Sequence, residues 1–73
     1  METQGPKFAV VVKEIRRQLS ISQEDLARQI GVSYATINRW ENSQSKPSKL
    51  AKVQLEAFCE KMTSLGKLRL SMT

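Results

Sequence analysis

Histidine is missing altogether from this 73-residue chain, and cysteine occurs once. A single cysteine excludes an internal disulfide. Without histidine or further thiols the usual zinc-ligand sets cannot assemble. Cys59 has no histidine to serve as its base, so its expected role is that of a small packed hydrophobe. Aromatic residues make up 5% of the chain, with three glycines and two prolines, which excludes collagen-like and Pro/Gly-rich disordered classes. The longest apolar run, Phe8 to Val12, is far too short to cross a bilayer. That run has no basic flank before it and no small-residue cleavage site after it. No secretory signal or membrane partner is therefore expected, and the chain reads as cytoplasmic. There is no glycine-rich phosphate loop. Glu24 and Asp25 are adjacent, but consecutive helical residues point in different directions and do not form a carboxylate pair. An enzyme is not expected, nor is a cofactor, a metal or a small-molecule substrate.

Acidic residues are also few: seven against twelve basic ones, for a net charge of +5 and a pI near 9.8. Such a surplus on one small domain favours an anionic partner such as nucleic acid, although solubility alone also accounts for it. The expected organisation is a flexible N-terminus over residues 1–6, one folded domain over 7–65 and a tail over 66–73.

What is present is helical patterning. Phe8, Val11, Val12, Ile15 and Leu19 form one apolar stripe, which predicts a first helix from Lys7 to Leu19 with Pro6 in its opening turn. Ser22 is placed to cap a second helix, with Asp25 as a weaker form of the capping-box acid. Leu26, Ala27 and Ile30 give that helix its apolar face, and Gly31 suits the left-handed residue past its end. Val32 is expected to fold inward. Ser33 can cap a third helix whose buried side is Ile37 and Trp40. Two short helices at this spacing make a helix-turn-helix, whose second helix can enter the major groove of DNA.

On a helical wheel, Ala35, Arg39 and Asn42 face away from Ile37, Trp40 and Glu41, with Thr36 and Asn38 flanking them. That outward row is polar without being uniformly charged, which suits reading base edges. Arg39 can pair with guanine O6 and N7, and Ala35 can meet a thymine methyl. Thr36 and Asn38 can bond bases or phosphates. Tyr34 and Ser33 lie at the helix start, the end that normally enters deepest; DNA contact is the favoured reading for Tyr34 over packing on the protein, and for Ser33 it stands level with a purely capping role. Gln23, beside the free N–H groups of the second helix, offers a phosphate seat. Lys46 follows the reading helix closely and adds a basic phosphate contact, with Lys49 and Lys52 less directly placed.

Ser48 can cap a fourth helix through Leu50, Val53, Ala57 and Phe58. Leu55, Cys59 and Met62 lie on a neighbouring face, a girdle wider than one core needs. Burial against a second copy and a short fifth helix near Met62 to Leu65 both account for it. From Lys67 to Met72 the pattern alternates as in a strand. An isolated strand is unstable, so disorder is the expectation for the tail, ahead of pairing with a twin or leading into a further domain.

SQEDLA at the start of the second helix, GVS in the turn and INRWEN through the third resemble the Cro/cI (XRE-like) phage-repressor type of helix-turn-helix, over roughly Ile15 to Pro47. The resemblance implies an all-α, lambda-repressor-like bundle of four or five helices. It implies that Gln23 holds phosphate and braces the first base-reading residue, that Tyr34, Ala35 and Arg39 read bases, and that Asn42 makes a loop phosphate contact. It also implies an Arg16–Glu41 pair between the first and third helices. The sequence departs from that family at Ser43, where glycine is common. The function expected is sequence-specific binding of double-stranded DNA by a repressor-like regulator acting as a homodimer. The alternative is a protein-interaction module, such as an antitoxin or co-regulator domain.

Overall fold

The computed structural model describes residues 5–70. Four helices follow one another: α1 (Gly5–Leu19), α2 (Gln23–Ile30), α3 (Tyr34–Glu41) and α4 (Lys49–Ser64). No strand occurs among the described residues. The all-α expectation therefore holds, with four helices. α3 packs against both α1 and α2, and α2 packs against α4.

Phe8, Val12 and Ile15 of α1 are buried, while Val11 and Leu19 pack at the core's edge. The helix closes where Ser20 turns left-handed (φ +56°), letting Ile21 N–H reach the Arg16 carbonyl at 3.2 Å. At α2 the capping box is complete: the Ser22 hydroxyl accepts from Asp25 N–H at 3.0 Å, and the Asp25 carboxylate accepts from Ser22 N–H at 3.2 Å. The shorter acid thus performs the full reciprocal function. Gly31 adopts φ +79° and donates to the Ala27 carbonyl at 2.9 Å, closing the helix and redirecting the chain into the turn. Ile37 and Trp40 of α3 are fully enclosed, and the Trp40 ring meets Phe8 edge-on at 5.4 Å.

The register of α4 differs from the expected one. Its buried residues are Ala51, Leu55, Phe58 and Cys59, with Met62 at the core's edge. Leu50 and Val53 are exposed, and so is Ala57. The face reserved for a partner, Leu55, Cys59 and Met62, is consumed by the domain's own core. Apolar residues surround this helix, so two overlapping stripes satisfy helical spacing. Packing on α2 selects between them.

The segment after α4 is packed through Leu70. Gly66 at φ +74° reverses the chain, and Lys67 N–H bonds the Met62 carbonyl at 2.9 Å. Leu68 is 1% exposed and joins the core, whereas Arg69 faces outward and Leu70 is half-buried. The alternation read as a strand is real in geometry, but its partner is a side chain. Gln18 donates to the Arg69 carbonyl and accepts from Arg69 N–H, both at 2.7 Å. In place of a fifth helix, this extended return covers the girdle. Expected features in residues 1–4 and 71–73 lie outside the described residues.

Among the described residues no helix is long and apolar enough to cross a membrane, and no cluster of three or more potential metal ligands occurs. Burial pushes the Cys59 thiol up to about 11, with the Glu56 charge adding to it, so the thiolate form is disfavoured.

Candidate nucleic-acid interface

Burial of Ile37 and Trp40 fixes the rotation of α3 about its axis. Tyr34, Ala35, Arg39 and Asn42 are consequently exposed, and Thr36 and Asn38 are half-buried at the edges of that row. No hydrogen bond or ion pair within the described residues engages the Arg39 side chain, which leaves its planar fork available to a ligand. Tyr34 is 51% exposed, so its ring is not a core element. Ser33 is exposed and caps α3: its hydroxyl accepts from Thr36 N–H at 3.1 Å and lies 2.9 Å from the Thr36 hydroxyl. Lys46 is exposed in the loop between α3 and α4, beside exposed Lys49.

The Arg16–Glu41 pair that the resemblance implied is present and forked. Arg16 Nε and Nη2 donate to the two Glu41 oxygens at 2.6 and 2.9 Å, and Nη1 reaches the Ile21 carbonyl at 3.3 Å. Glu41 is buried. Desolvation pushes its carboxyl up, but the bonds from Arg16 and Gln23 and the charges of Arg16 and Lys13 together hold it below its ordinary value. The pair links α1 to the end of α3, and neither charge is left uncompensated.

In the free protein the Gln23 side chain is engaged within the fold. Its amide nitrogen donates to Glu41 Oε1 at 3.1 Å, and its oxygen accepts from Asn38 Nδ2 at 3.4 Å. Its partner on the reading helix is therefore Asn38. Tyr34 has no amide with which to pair, and Asn38 lies one turn farther along. The Asn42 amide nitrogen in turn lies 2.9 Å from the Asn38 carbonyl and 3.1 Å from Asn38 Oδ1. The fold thus brings Gln23, Asn38 and Asn42 into one hydrogen-bonded set with Glu41. Lys46 stands apart from it, on the loop. Only the Asn38–Asn42 step, four residues apart on one helix, was visible in the spacing. The links from Gln23 span 15 and 18 residues and leave no mark in the local sequence.

Ser43 adopts φ +57°. The position therefore has the left-handed geometry that glycine accepts without strain, here occupied by serine.

A family model described as helix-turn-helix matches residues 12–59, well over half of the chain and including most of α4. The chain is similar to the type II methyltransferase M1.ScrFI of Lactococcus lactis subsp. cremoris, with 39% identity over 49 residues. That similarity takes in 63% of this chain but 13% of the methyltransferase. No solved structure matches the chain.

Proposed function

The chain belongs to the helix-turn-helix family of DNA-binding domains, of the Cro/cI (XRE-like) type, and on that premise we propose that it binds double-stranded DNA sequence-specifically as a repressor-like regulator. The observation that carries this reading is the exposed polar row of α3 with an unengaged Arg39 at its centre. Arg39 contacts guanine in the major groove, Tyr34 and Ala35 contact neighbouring bases at the entering end, and Thr36 and Asn38 line the row's edges. Ser33 faces the backbone near the helix start. Gln23 and Asn42 flank the row, and exposed Lys46 supplies a positive charge for phosphate. Methyl transfer is not part of this proposal, because the similarity takes in 13% of the methyltransferase.

Two copies acting together fit this reading. The domain measures 30 × 26 × 21 Å, close to the ~34 Å that separates successive major grooves on one face of the duplex. Leu50 and Val53, 68% and 56% exposed on α4, give a second copy an apolar surface. The same two side chains favour the alternative of a protein-interaction module.

Fluorescence anisotropy with random duplex DNA at several salt concentrations separates the two readings. DNA binding weakens steeply with salt as counterions are released, by a log–log slope of about −0.9 per phosphate neutralised. Absence of binding at low salt refutes the DNA reading and leaves the interaction module. Equilibrium sedimentation with and without DNA tests the dimer, and a monomer in both conditions excludes it.

A further inference from the structure

We infer that Glu41 is a positioning residue for the reading face, fixing through Gln23 which way round the Asn38 amide sits. The inference rests on the DNA-reading role proposed for α3. A guanidinium only donates and a carboxylate only accepts, whereas an amide does both. Arg16 fills its side of Glu41 with the bonds at 2.6 and 2.9 Å. The remaining approach to Glu41 Oε1 admits only a donor, and Gln23 Nε2 occupies it at 3.1 Å. With its nitrogen committed, Gln23 turns its oxygen to Asn38 Nδ2, 3.4 Å away. Asn38 then turns Oδ1 to Asn42 Nδ2 at 3.1 Å. The amide nitrogens of Asn42, Asn38 and Gln23 each donate to the next side-chain oxygen, ending at the buried carboxylate, and Asn42 Nδ2 also donates to the Asn38 backbone carbonyl at 2.9 Å.

Inverting the Gln23 amide would set its oxygen against Glu41 and its nitrogen against Asn38 Nδ2. Asn38 would have to invert as well. That exchange matters at the reading face, because an asparagine recognises a base edge only with its oxygen and nitrogen in a fixed order. Glu41 is 6% exposed, so it acts on the face through these amides and does not touch a ligand.

The test is side-chain amide hydrogen exchange, resolved by nitrogen-15 NMR in the free protein, for wild type, Gln23→Ala and Glu41→Gln. Gln23→Ala removes the central link and leaves the Arg16–Glu41 pair in place, so it decides the matter even where Glu41→Gln fails to fold. The expected result is roughly fivefold faster exchange at the Asn38 side chain, the loss of one net hydrogen bond, with α1 backbone protection unchanged. An unchanged Asn38 rate in folded Gln23→Ala overturns the inference. In site selection from random duplexes, folded Glu41→Gln should lose preference at one base pair while keeping the wild-type salt slope. An unaltered preference also overturns it. Wild type that binds no DNA instead removes the proposed function, and the exchange measurement still decides whether the relay exists.

Discussion

Replacing Trp40 with alanine probes the packing on which the orientation of the reading helix depends. The side chain is 1% exposed and meets Phe8 edge-on at 5.4 Å. Truncating a buried aromatic costs about 3–5 kcal/mol. Loss of the aromatic pair is worth roughly 0.5–1.5 kcal/mol beyond area burial and falls partly inside that range. A 73-residue domain is expected to hold about 4–11 kcal/mol in all. Trp40→Ala therefore removes most or all of the stability at the lower end of that range, and about a quarter to a half of it at the upper end. Because Trp40 is the sole tryptophan, tryptophan fluorescence disappears with it. Urea unfolding is best followed by far-ultraviolet circular dichroism in both proteins. A variant that is largely unfolded in water, or destabilised by at least about 3 kcal/mol, is the expected outcome. A loss below about 1 kcal/mol, the size of an ordinary surface change, would mean that Trp40 does not anchor α3, and the outward placement of Arg39 would lose its cause.

Three further outcomes follow from the same geometry. Ser43→Gly relieves a left-handed non-glycine residue at φ +57°, worth about 1–2 kcal/mol. Glycine's extra freedom in the unfolded chain offsets about 0.5–1 kcal/mol of it, so the urea midpoint should rise by a net gain of order 0.5–1 kcal/mol, and a fall refutes the assignment. Leu68→Ala empties a fully buried core position and should cost about 2–5 kcal/mol; no effect on the thermal midpoint would mean that the tail is not docked. Glu41 has a folded-state pKa below its ordinary value of 4.5, so its contribution to stability is complete above that value. It is lost as pH falls below 4.5 toward the lowered folded value, where the protonated carboxyl no longer matches Arg16. Stability measured against pH should fall over that acid range, and less steeply in Glu41→Gln; identical slopes would exclude Glu41 as a source of the acid sensitivity.

The helix-turn-helix was legible because its determinants are local. Ser22, Asp25, Gly31 and Ser33 act within four residues of themselves, and Ile37 with Trp40 repeats at helical spacing. The family model extends the resemblance, read over Ile15 to Pro47, to residues 12–59. The register of α4 was not legible. Leu50, Val53 and Ala57 obey the same period as Ala51, Leu55 and Phe58, and only contact with the rest of the bundle distinguishes them. The tail misled for a related reason. Its alternation was correctly seen, but the group that satisfies Arg69 is the Gln18 side chain, 51 residues away. The exposed row of α3 was evident from the wheel, while the amide set behind it joins α2 to α3, and Arg16 ties it to α1 through Glu41, by links that sequence spacing does not relate.

Reading of DNA by the outward face of α3 is tested most directly by selecting bound sites from random double-stranded DNA with wild type and Arg39→Ala side by side. Wild type should enrich one short site, and Arg39→Ala should lose about 1–3 kcal/mol of preference at a single base pair with its fold intact. Enrichment of the same site with the same preferences by both proteins would contradict it.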